Sequence, residues 1–488
     1  MSAKKNNVAA MVDLPTFANS SASDGQLDQA FFERTSAKFL ADPKNRLAQN
    51  VVSRLDVQEA AIDLEASRVN HHFSCSLREQ WSVEGLATSQ KASGRCWLFA
   101  MLNTLRYPII RALGLPSNFE LSQSHLFYWD KVERANFFLE TMIETADEPF
   151  DSRLIQWLCS QPVSDGGQWD MAVNLIVKHG VMPQEVFPET FSSSSSSRMN
   201  YMLTNKLREF ASELRSMHAS GATLGQMRET KSGMMETINN IIMIHLGTPP
   251  AKFDWSYTDS KNKFHKMTGM TPQSFYAEVC PVDVTSKVSL INDPRNEYYK
   301  LYTVDKLNNM AGGLPVRYIN LPVESLEEMA MKTLQAGQPV WFGCDCGKFM
   351  QRNTGIFDTK LFDYDLIYNT APGMDKETRL NYGESLMTHA MVFTAFDKDE
   401  SDALPRKWRV ENSWGRDAAD GGYYVMTAAW FKEWMYQIAV DVSDLPGDVA
   451  AVLDQTPSVL PAWDPMGSLA GYLPGPSEPI STVTDAKL

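Results

Sequence analysis

Cysteine is scarce in this chain, and its scarcity excludes one class of protein. Six cysteines occur among 488 residues, too few for a disulfide scaffold, and none of them lies at zinc-finger spacing. Cys344 and Cys346 flank a single residue, but no neighbouring ligands complete a metal set, so we expect a core strand there. Free thiols are typical of a reducing compartment, so we expect a cytoplasmic protein.

Long apolar runs and an excess of positive charge are also lacking. No apolar run approaches the roughly 18 residues that a membrane-spanning helix needs. Lys4 and Lys5 are not followed by the apolar segment of a secretory signal. The net charge of −14 gives no electrostatic reason to expect nucleic acid or an anionic membrane as the principal partner. A local basic channel in an oligomer would still be compatible with this charge.

One thiol does stand where a nucleophile would be built. Cys96 lies between a Gly-Arg turn and a helix pattern that ends near Gly114 and Pro116. Unpaired backbone N–H groups at the start of a helix favour a thiolate there. Gln90, six residues upstream, could donate its side-chain amide to an oxyanion beside the Cys96 N–H. A buried structural cysteine would give the same local pattern, so a base must be found. The helix pattern rests on Leu98, Leu102, Leu105 and Ile109.

Two residues in the last quarter could complete the site. His389 opens a nearly all-apolar run that predicts a buried strand, and Asn412 closes a segment with period-two alternation. Taken alone, His389 is typical of a core histidine and Asn412 of a turn. Ser413-Trp414-Gly415 follows directly and makes the combination specific. An amide that accepts from one imidazole nitrogen fixes the ring, and an indole beside it excludes water.

In chain order these residues resemble the papain-like cysteine peptidases, with Gln, Cys-Trp, His-Ala and Asn-Ser-Trp-Gly. Two departures stand out. Ser93 replaces the disulfide cysteine of the family's Cys-Gly-Ser-Cys-Trp signature, and Cys96 and His389 are much further apart than the usual roughly 130 to 150 residues. Both departures point to the bleomycin hydrolase and aminopeptidase C group. The blocks that resemble this group are Ser93–Phe99, Val340–Asp345, Met387–Met391 and Trp463–Gly467.

The resemblance implies an α+β, two-lobed papain-like fold with a helical lobe, a β-barrel-like lobe and a large helical insertion. It implies an intracellular aminopeptidase that acts on short peptides through a thioester, without metal or other cofactor, and also hydrolyses bleomycin and homocysteine thiolactone. It further implies a homohexamer with active sites facing an internal cavity. Gly166 and Gly167 would line the substrate cleft, although an ordinary turn would contain the same pair. Trp97 and Trp414 would support the site.

The chain divides by composition and resemblance into six segments. Ser192–Ser197 is a run of serines that predicts a solvated loop, and helical patterns follow it at Leu203–Met217 and Met234–Leu246. The segments are a flexible N-terminus at 1–24, the helical lobe with the nucleophile at 25–197, a helical insertion with oligomer contacts at 198–270, a β-rich lobe with His389 and Asn412 at 271–456, a C-terminal arm at 457–470 and a flexible extension at 471–488.

Three functions compete for this set of residues. In a thiol peptidase, Cys96 attacks the carbonyl, His389 moves the proton and Asn412 orients His389. In another thiol acyl-transfer enzyme, such as a transglutaminase, a carboxylate usually orients the base, which Asn412 disfavours. A non-catalytic relative would bind or scaffold, but it would have no need of Gln90, Cys96, His389 and Asn412 together. We therefore favour the peptidase.

The C-terminus decides between aminopeptidase and endopeptidase activity. In the resembling family, the chain ends directly after a stretch like Val459–Ala470, and the terminal carboxylate pairs with the substrate α-ammonium. Here residues 471–488 follow, so Ala470 offers no carboxylate until the chain is cut. We expect self-cleavage by Cys96 close to Ala470. The alternative is an extension that enters the cavity or displaces the arm, which would give a latent enzyme or an endopeptidase.

Overall fold

The computed structural model describes residues 27–82 and 84–468. The N-terminal segment 1–24, Ala470 and the extension 471–488 lie outside these residues, so the predictions made for them stay predictions. Across the described ranges, no helix combines the length and the apolar character needed to cross a bilayer.

Helices account for much of the described chain, and most of the long ones precede residue 250. They are α1 (Gln29–Ala41), α2 (Pro43–Val52), α3 (Val57–Ala61), α4 (Leu77–Trp81), α5 (Cys96–Leu113), α6 (Gln123–Glu144), α7 (Arg153–Ser160), α8 (Trp169–His179), α9 (Phe191–Ser194), α10 (Ser197–Ala219), α11 (Leu224–Leu246), α12 (Pro272–Val279), α13 (Val323–Gln335), α14 (Tyr364–Tyr368), α15 (Lys376–Asn381), α16 (Ala428–Trp434) and α17 (Gly447–Ala450).

Strands lie almost entirely in the second half of the described chain. They are β1 (Cys75–Ser76), β2 (Phe253–Thr258), β3 (Phe264–Met270), β4 (Lys287–Ile291), β5 (Lys300–Val304), β6 (Tyr318–Asn320), β7 (Val340–Cys344), β8 (Met350–Gln351), β9 (Ile356–Phe357), β10 (His389–Asp397), β11 (Lys407–Glu411), β12 (Tyr423–Thr427), β13 (Met435–Asp441) and β14 (Ser458–Leu460). The helix-rich and strand-rich halves are those that the sequence predicts.

Two compact units are present, and the described part of the smaller one comprises residues 27–63 and 362–372. Its described part holds α1, α2, α3 and α14. Aspartates begin its first three helices, because each carboxylate accepts a backbone N–H that the first turn leaves unpaired. These caps are Asp28, Asp42 and Asp56. The Asp363 N–H donates to the Ala61 carbonyl at 2.8 Å and joins the second segment to the first.

The larger unit holds α5, the helix that Cys96 opens. This helix is buried along nearly its whole length and packs against α6 and α8. It ends at Gly114, whose φ of 65° is left-handed and suits a residue without a side chain beyond Cα. The prediction of a buried helix from Cys96 to Gly114 is confirmed.

Two long helices, α10 and α11, follow and pack against each other and against α6. The buried side of α10 has apolar residues every three or four positions, which places them on one face of a helix. They are Met199, Leu203, Leu207, Phe210 and Leu214. Both helical stretches predicted for this region are confirmed, whereas the limits of the insertion at 198 and 270 stay a prediction.

The serine run differs from its prediction. Residues 192–194 belong to α9 and Ser197 opens α10, with a two-residue connection at 195 and 196, and Ser193 and Ser196 are buried. Composition misled here because a serine hydroxyl can be buried when it is paired. The Ser193 hydroxyl donates to Glu189 at 2.6 Å, and the Ser196 hydroxyl donates to Asp165.

A twelve-stranded sheet forms the rest of the larger unit's core. Strand β10 lies between β7 and β11 and pairs antiparallel with both. It is buried over almost its whole length, and β11 is buried throughout. His389 opens β10 opposite Cys344, and Asn412 follows the last residue of β11. Both predicted strands are confirmed, and the α+β class holds.

Candidate active site

Cys96 lies at the first helical residue of α5 and is only 1% exposed. Helix α5 packs against β10, the strand that His389 opens. The backbone N–H of Ala390, the residue after His389, is among the groups that lower the pKa of the Cys96 thiol, which places the sulfur near the start of β10. The fold therefore brings the thiol to the start of β10, although Cys96 and His389 are far apart in the chain.

His389 is held by the residue that the sequence predicts. Its Nε2 lies 2.8 Å from Asn412 Oδ1. That oxygen also accepts from the Ser413 backbone N–H at 2.7 Å, so it acts as an acceptor and Nε2 must carry the proton. The Trp414 indole stacks on the imidazole with ring centroids 5.0 Å apart. His389 Nδ1 is therefore the nitrogen left to accept a proton from the thiol.

Burial sets the protonation of the pair. It raises the pKa of the Cys96 thiol to about 12, although backbone N–H groups of Ala390, Trp97 and Cys96 lower it. Burial lowers the pKa of His389 to about 4, against the opposing effect of the bond to Asn412. Burial thus opposes the thiolate expected from the helix start, because loss of water disfavours the charged form of the thiol.

The low pKa of His389 predicts a loss of stability in acid. The unfolded chain binds a proton at a histidine pKa of about 6.5 and the folded chain only near 4, so stability falls as the pH drops from about 6.5 to 4. A shift of this size corresponds to about 3 kcal/mol. Between pH 7 and pH 4 the free energy of unfolding should fall by about 3 kcal/mol less in His389→Gln than in the parent. Urea unfolding at both pH values measures this difference. The exposed His72→Gln should match the parent, and equal losses in His389→Gln and the parent would contradict the prediction.

Gln90 lies beside both halves of the site. Its backbone N–H donates to the Ser413 carbonyl at 2.8 Å, and its Oε1 accepts from the Ser413 hydroxyl at 2.6 Å. Its Nε2 donates to the Ser93 carbonyl at 2.5 Å, in the turn that leads to Cys96. An amide nitrogen has two donors, and this bond uses one of them. Gln90 thus links the nucleophile turn to the Asn412 segment.

A buried ion pair joins the elements that carry Cys96 and Asn412. Arg106 of α5 pairs with Glu411, the residue before Asn412, and both side chains are almost fully buried. The Tyr107 hydroxyl donates to the second Glu411 oxygen at 2.7 Å and lies 2.9 Å from the Tyr423 hydroxyl. Removing one partner of such a pair leaves a buried charge and typically costs about 3–5 kcal/mol. This network fixes the distance between the nucleophile helix and the Asn412 strand.

The predicted glycine pair borders a cavity of about 640 Å³. A side chain at Gly167 would collide with the Trp97 ring, because its Cβ would lie 2.8 Å from ring atoms. The glycine is therefore needed for the approach of Trp97, which also donates its indole N–H to the Asp165 carbonyl at 2.6 Å. The same cavity is lined by residues 461–465 and by 467 and 468 of the C-terminal arm.

Sequence reasoning missed several residues around the nucleophile. The Asp165 carboxylate accepts from the Gly94 N–H at 3.1 Å, and the Ser413 hydroxyl holds Gln90. Arg95, fully buried, forms a two-point ion pair with Glu189. In the sequence, Asp165 is distinguished only by its position directly before the glycine pair. No pattern in the chain indicates which residues it contacts.

Known proteins resemble this chain over most of its length. The model of the Peptidase C1-like family matches residues 26–467. Human bleomycin hydrolase is 45% identical over 442 residues, which cover 89% of this chain and 96% of that protein. Aminopeptidase C of Streptococcus thermophilus is 41% identical over 446 residues, covering 91% of this chain and 99% of that protein. The crystal structure of PepW from Lactobacillus rhamnosis HN001 superposes with a TM-score of 0.88 at 39% identity, covering 91% of this chain and all of PepW.

Proposed function

The chain belongs to the Peptidase C1-like family and is a cysteine peptidase, and from this premise we propose that it is an aminopeptidase acting through Cys96, His389 and Asn412. One observation carries the proposal. Asn412 Oδ1 lies 2.8 Å from His389 Nε2, and α5, the helix that Cys96 opens, packs against β10, the strand that His389 opens. This is the order in which a nucleophile, its base and the group that orients the base must stand.

The contacts support a role for each group. Cys96 attacks the peptide carbonyl while His389 Nδ1 takes the thiol proton, and the carbonyl oxygen becomes an oxyanion. The Cys96 N–H and the second donor of Gln90 Nε2 would stabilise that oxyanion. The C–N bond then breaks, His389 returns the proton to the leaving amine, and a thioester remains on Cys96. Water, deprotonated by His389, attacks the thioester and releases the acid, and the proton returns to the sulfur.

Neighbouring groups hold the His389 imidazole in a fixed orientation. Asn412 Oδ1 accepts a hydrogen bond from the Nε2–H of His389 and so prevents the imidazole from rotating. The indole of Trp414 covers one face of the ring and limits the access of water to this bond. An amide rather than a carboxylate orients the base, which favours peptide hydrolysis over the alternative acyl-transfer enzyme considered from the sequence.

Short peptides are the proposed substrates, with the cleft bordered by Gly166 and Gly167. The C-terminal arm supports this assignment, because its last described residue lies next to that pair. The Ser468 carbonyl accepts from Gln168 Nε2 at 3.3 Å, and the Met466 carbonyl accepts from the Tyr318 hydroxyl at 3.1 Å. Asp464 is paired with Arg295 at 2.9 Å. These contacts hold the arm beside the proposed cleft as far as Ser468.

Trimming near Ala470 is the proposed route to aminopeptidase activity. An uncut peptide bond offers no carboxylate, and burying an unpaired ammonium costs several kcal/mol. We expect the full chain to lose residues 471–488, and a variant ending at Ala470 to cleave substrates with free amino termini much faster than blocked ones. Intact mass and aminoacyl fluorogenic substrates measure both. The Cys96→Ala chain should keep its full mass. Full activity on free-amino substrates by a chain that retains 471–488 would contradict the trimming step, and equal rates on blocked substrates would contradict the aminopeptidase.

Bleomycin and homocysteine thiolactone are further proposed substrates. Bleomycin is proposed because the human relative is named bleomycin hydrolase. The thiolactone is proposed because the sequence motifs resemble that family. A thiolactone combines a free amino group with an activated carbonyl, so the same attack by Cys96 would open it. No metal or other cofactor takes part in the proposed steps.

The proposed assembly is a homohexamer, with cytoplasmic localisation. The apolar residues exposed on the described surface are compatible with contacts between copies, among them Phe191, Tyr201 and Ile244. The six free thiols suit a reducing compartment. Light scattering would report an assembly several times heavier than the 54.9 kDa chain. A clean monomer would remove the argument that a cavity limits access to short peptides.

A further inference from the structure

The turn that precedes the nucleophile is fastened to a buried carboxylate. Asp165 Oδ2 accepts the backbone N–H of Gly94, two residues before Cys96, at 3.1 Å. Oδ1 of the same group accepts from Lys131 Nζ and from Asn200 Nδ2, each at 2.7 Å, and the Ser196 hydroxyl donates to Oδ2. The Asp165 side chain is 10% exposed and that of Lys131 is fully buried. Four donors from three further parts of the chain thus converge on one carboxylate.

We propose that Asp165 is a positioning residue, which fixes the Gly94 turn so that the Cys96 N–H and the Gln90 amide converge on one oxyanion site. This role rests on the proposed function, in which those two donors meet the reacting oxygen. Gln90 Nε2 bonds to the Ser93 carbonyl, so any drift of the turn would carry the amide with it. A misplacement of about 1 Å in a catalytic group can cost roughly 10²-fold in rate.

A carboxylate suits this position better than an amide would. Its two oxygens offer about four acceptor sites and no donor, which matches the four groups that point at it. Burial alone would raise the pKa of Asp165, but Lys131 and the hydrogen bonds from Lys131, Ser196 and Asn200 hold it well below its usual range. The group therefore stays ionised at every pH at which the enzyme would work. An asparagine would turn an N–H toward one or more of the same donors.

The negative charge on Asp165 disfavours the thiolate form of Cys96. This effect distinguishes a role in positioning the turn from a role in activating the thiol. Burial is the main cause of the raised pKa of Cys96, and backbone N–H groups oppose it. The charge of Asp165 makes a smaller contribution that also raises this pKa. The carboxylate therefore opposes thiolate formation, which favours positioning over activation of the thiol as its role. The other titratable groups near the thiol are Cys344 on β7 and His389 on β10, with Lys131 behind Asp165.

Two neighbouring contacts fasten the same turn. The Ala92 N–H donates to the Ser194 carbonyl at 2.9 Å, and Arg95 pairs with Glu189 through both carboxylate oxygens. Ser93 stands where the family signature has a disulfide cysteine. In this chain, the polar contacts of the turn with Asp165 and with residues 189–200 take over the fastening that a covalent bond would give.

The test compares Asp165→Asn with Glu140→Gln in the full chain. Glu140 is a matched control, since its side chain is 11% exposed and is held by Arg228 and Lys231 away from the turn. We expect Asp165→Asn to lower kcat by roughly 10²-fold, with KM changed by less than about threefold. Removing the charge should also move the pH profile of Cys96 alkylation by iodoacetamide to lower pH. Glu140→Gln should alter neither quantity.

Two results would overturn the proposal. One is a kcat within about threefold of the parent, and the other is a fall in kcat that Glu140→Gln reproduces, which would mean a general effect of losing a buried ion pair. If Asp165→Asn does not fold, Asn200→Ala removes one donor and keeps the charge. It should lower kcat by about three- to tenfold without moving the profile, and an unchanged kcat would overturn the positioning role. Alkylation needs no substrate, so a wrong choice of substrate would leave this part of the test intact.

Discussion

Replacing Cys96 by alanine is expected to reduce peptide hydrolysis by about 10⁴-fold or more while the protein stays folded. Every bond change in the proposed reaction passes through this sulfur, so no other residue can take over the acyl group. The thiol lies 4.0 Å from the Gly94 carbonyl, a long contact, and it fills little volume at the start of α5. Its removal should therefore have a small effect on stability compared with its effect on rate.

The five other free cysteines provide the controls. Cys159→Ala and Cys280→Ala remove partly buried thiols elsewhere in the larger unit, and we expect both to keep the parent rate. Thermal unfolding and circular dichroism would show that Cys96→Ala folds like the parent. A Cys96→Ala rate within about tenfold of the parent would contradict the assignment of the nucleophile.

Local patterns in the sequence predicted the elements that carry the site. The apolar spacing after Cys96 and the glycine at 114 specify a helix, and the apolar run from His389 specifies a strand. These signals are short-range, because helix and strand periodicities depend on neighbouring residues. The pairing of Asn412 with His389 could be predicted only through the motif that both share with a known family.

Long-range contacts account for what the sequence did not predict. Asp165 meets Lys131, Ser196 and Asn200 only after the chain has folded, and no spacing links the four. The buried serines of residues 192–197 have the composition of a solvated segment, and their hydroxyl partners decide the outcome. Packing likewise sets the pKa of Cys96, since burial outweighs the helix start that the sequence makes visible.

His389→Ala is expected to be as damaging as the loss of Cys96, because the base and the later proton donor disappear together. We expect a loss of about 10⁴-fold in kcat/KM. His125→Gln, which changes a buried histidine on α6 that bonds to the His179 carbonyl, is a matched control and should keep the parent rate. A small effect of His389→Ala would remove His389 from the reaction.

Asn412 separates orientation of the base from its chemistry. Asn412→Ala leaves an imidazole that can still reach the thiol, so a loss of roughly 10- to 10³-fold is expected, below that of His389→Ala. In the parent, Asn412 Oδ1 lies 2.8 Å from His389 Nε2, and Asn412→Asp keeps an oxygen at this position. The substitution also adds a negative charge, which should raise the pKa of His389. Its acid limb in kcat/KM should move to higher pH, while more activity survives than in Asn412→Ala. Equal and complete inactivation of both Asn412 variants, with unchanged folding, would mean that the Asn412 amide does more than orient the imidazole.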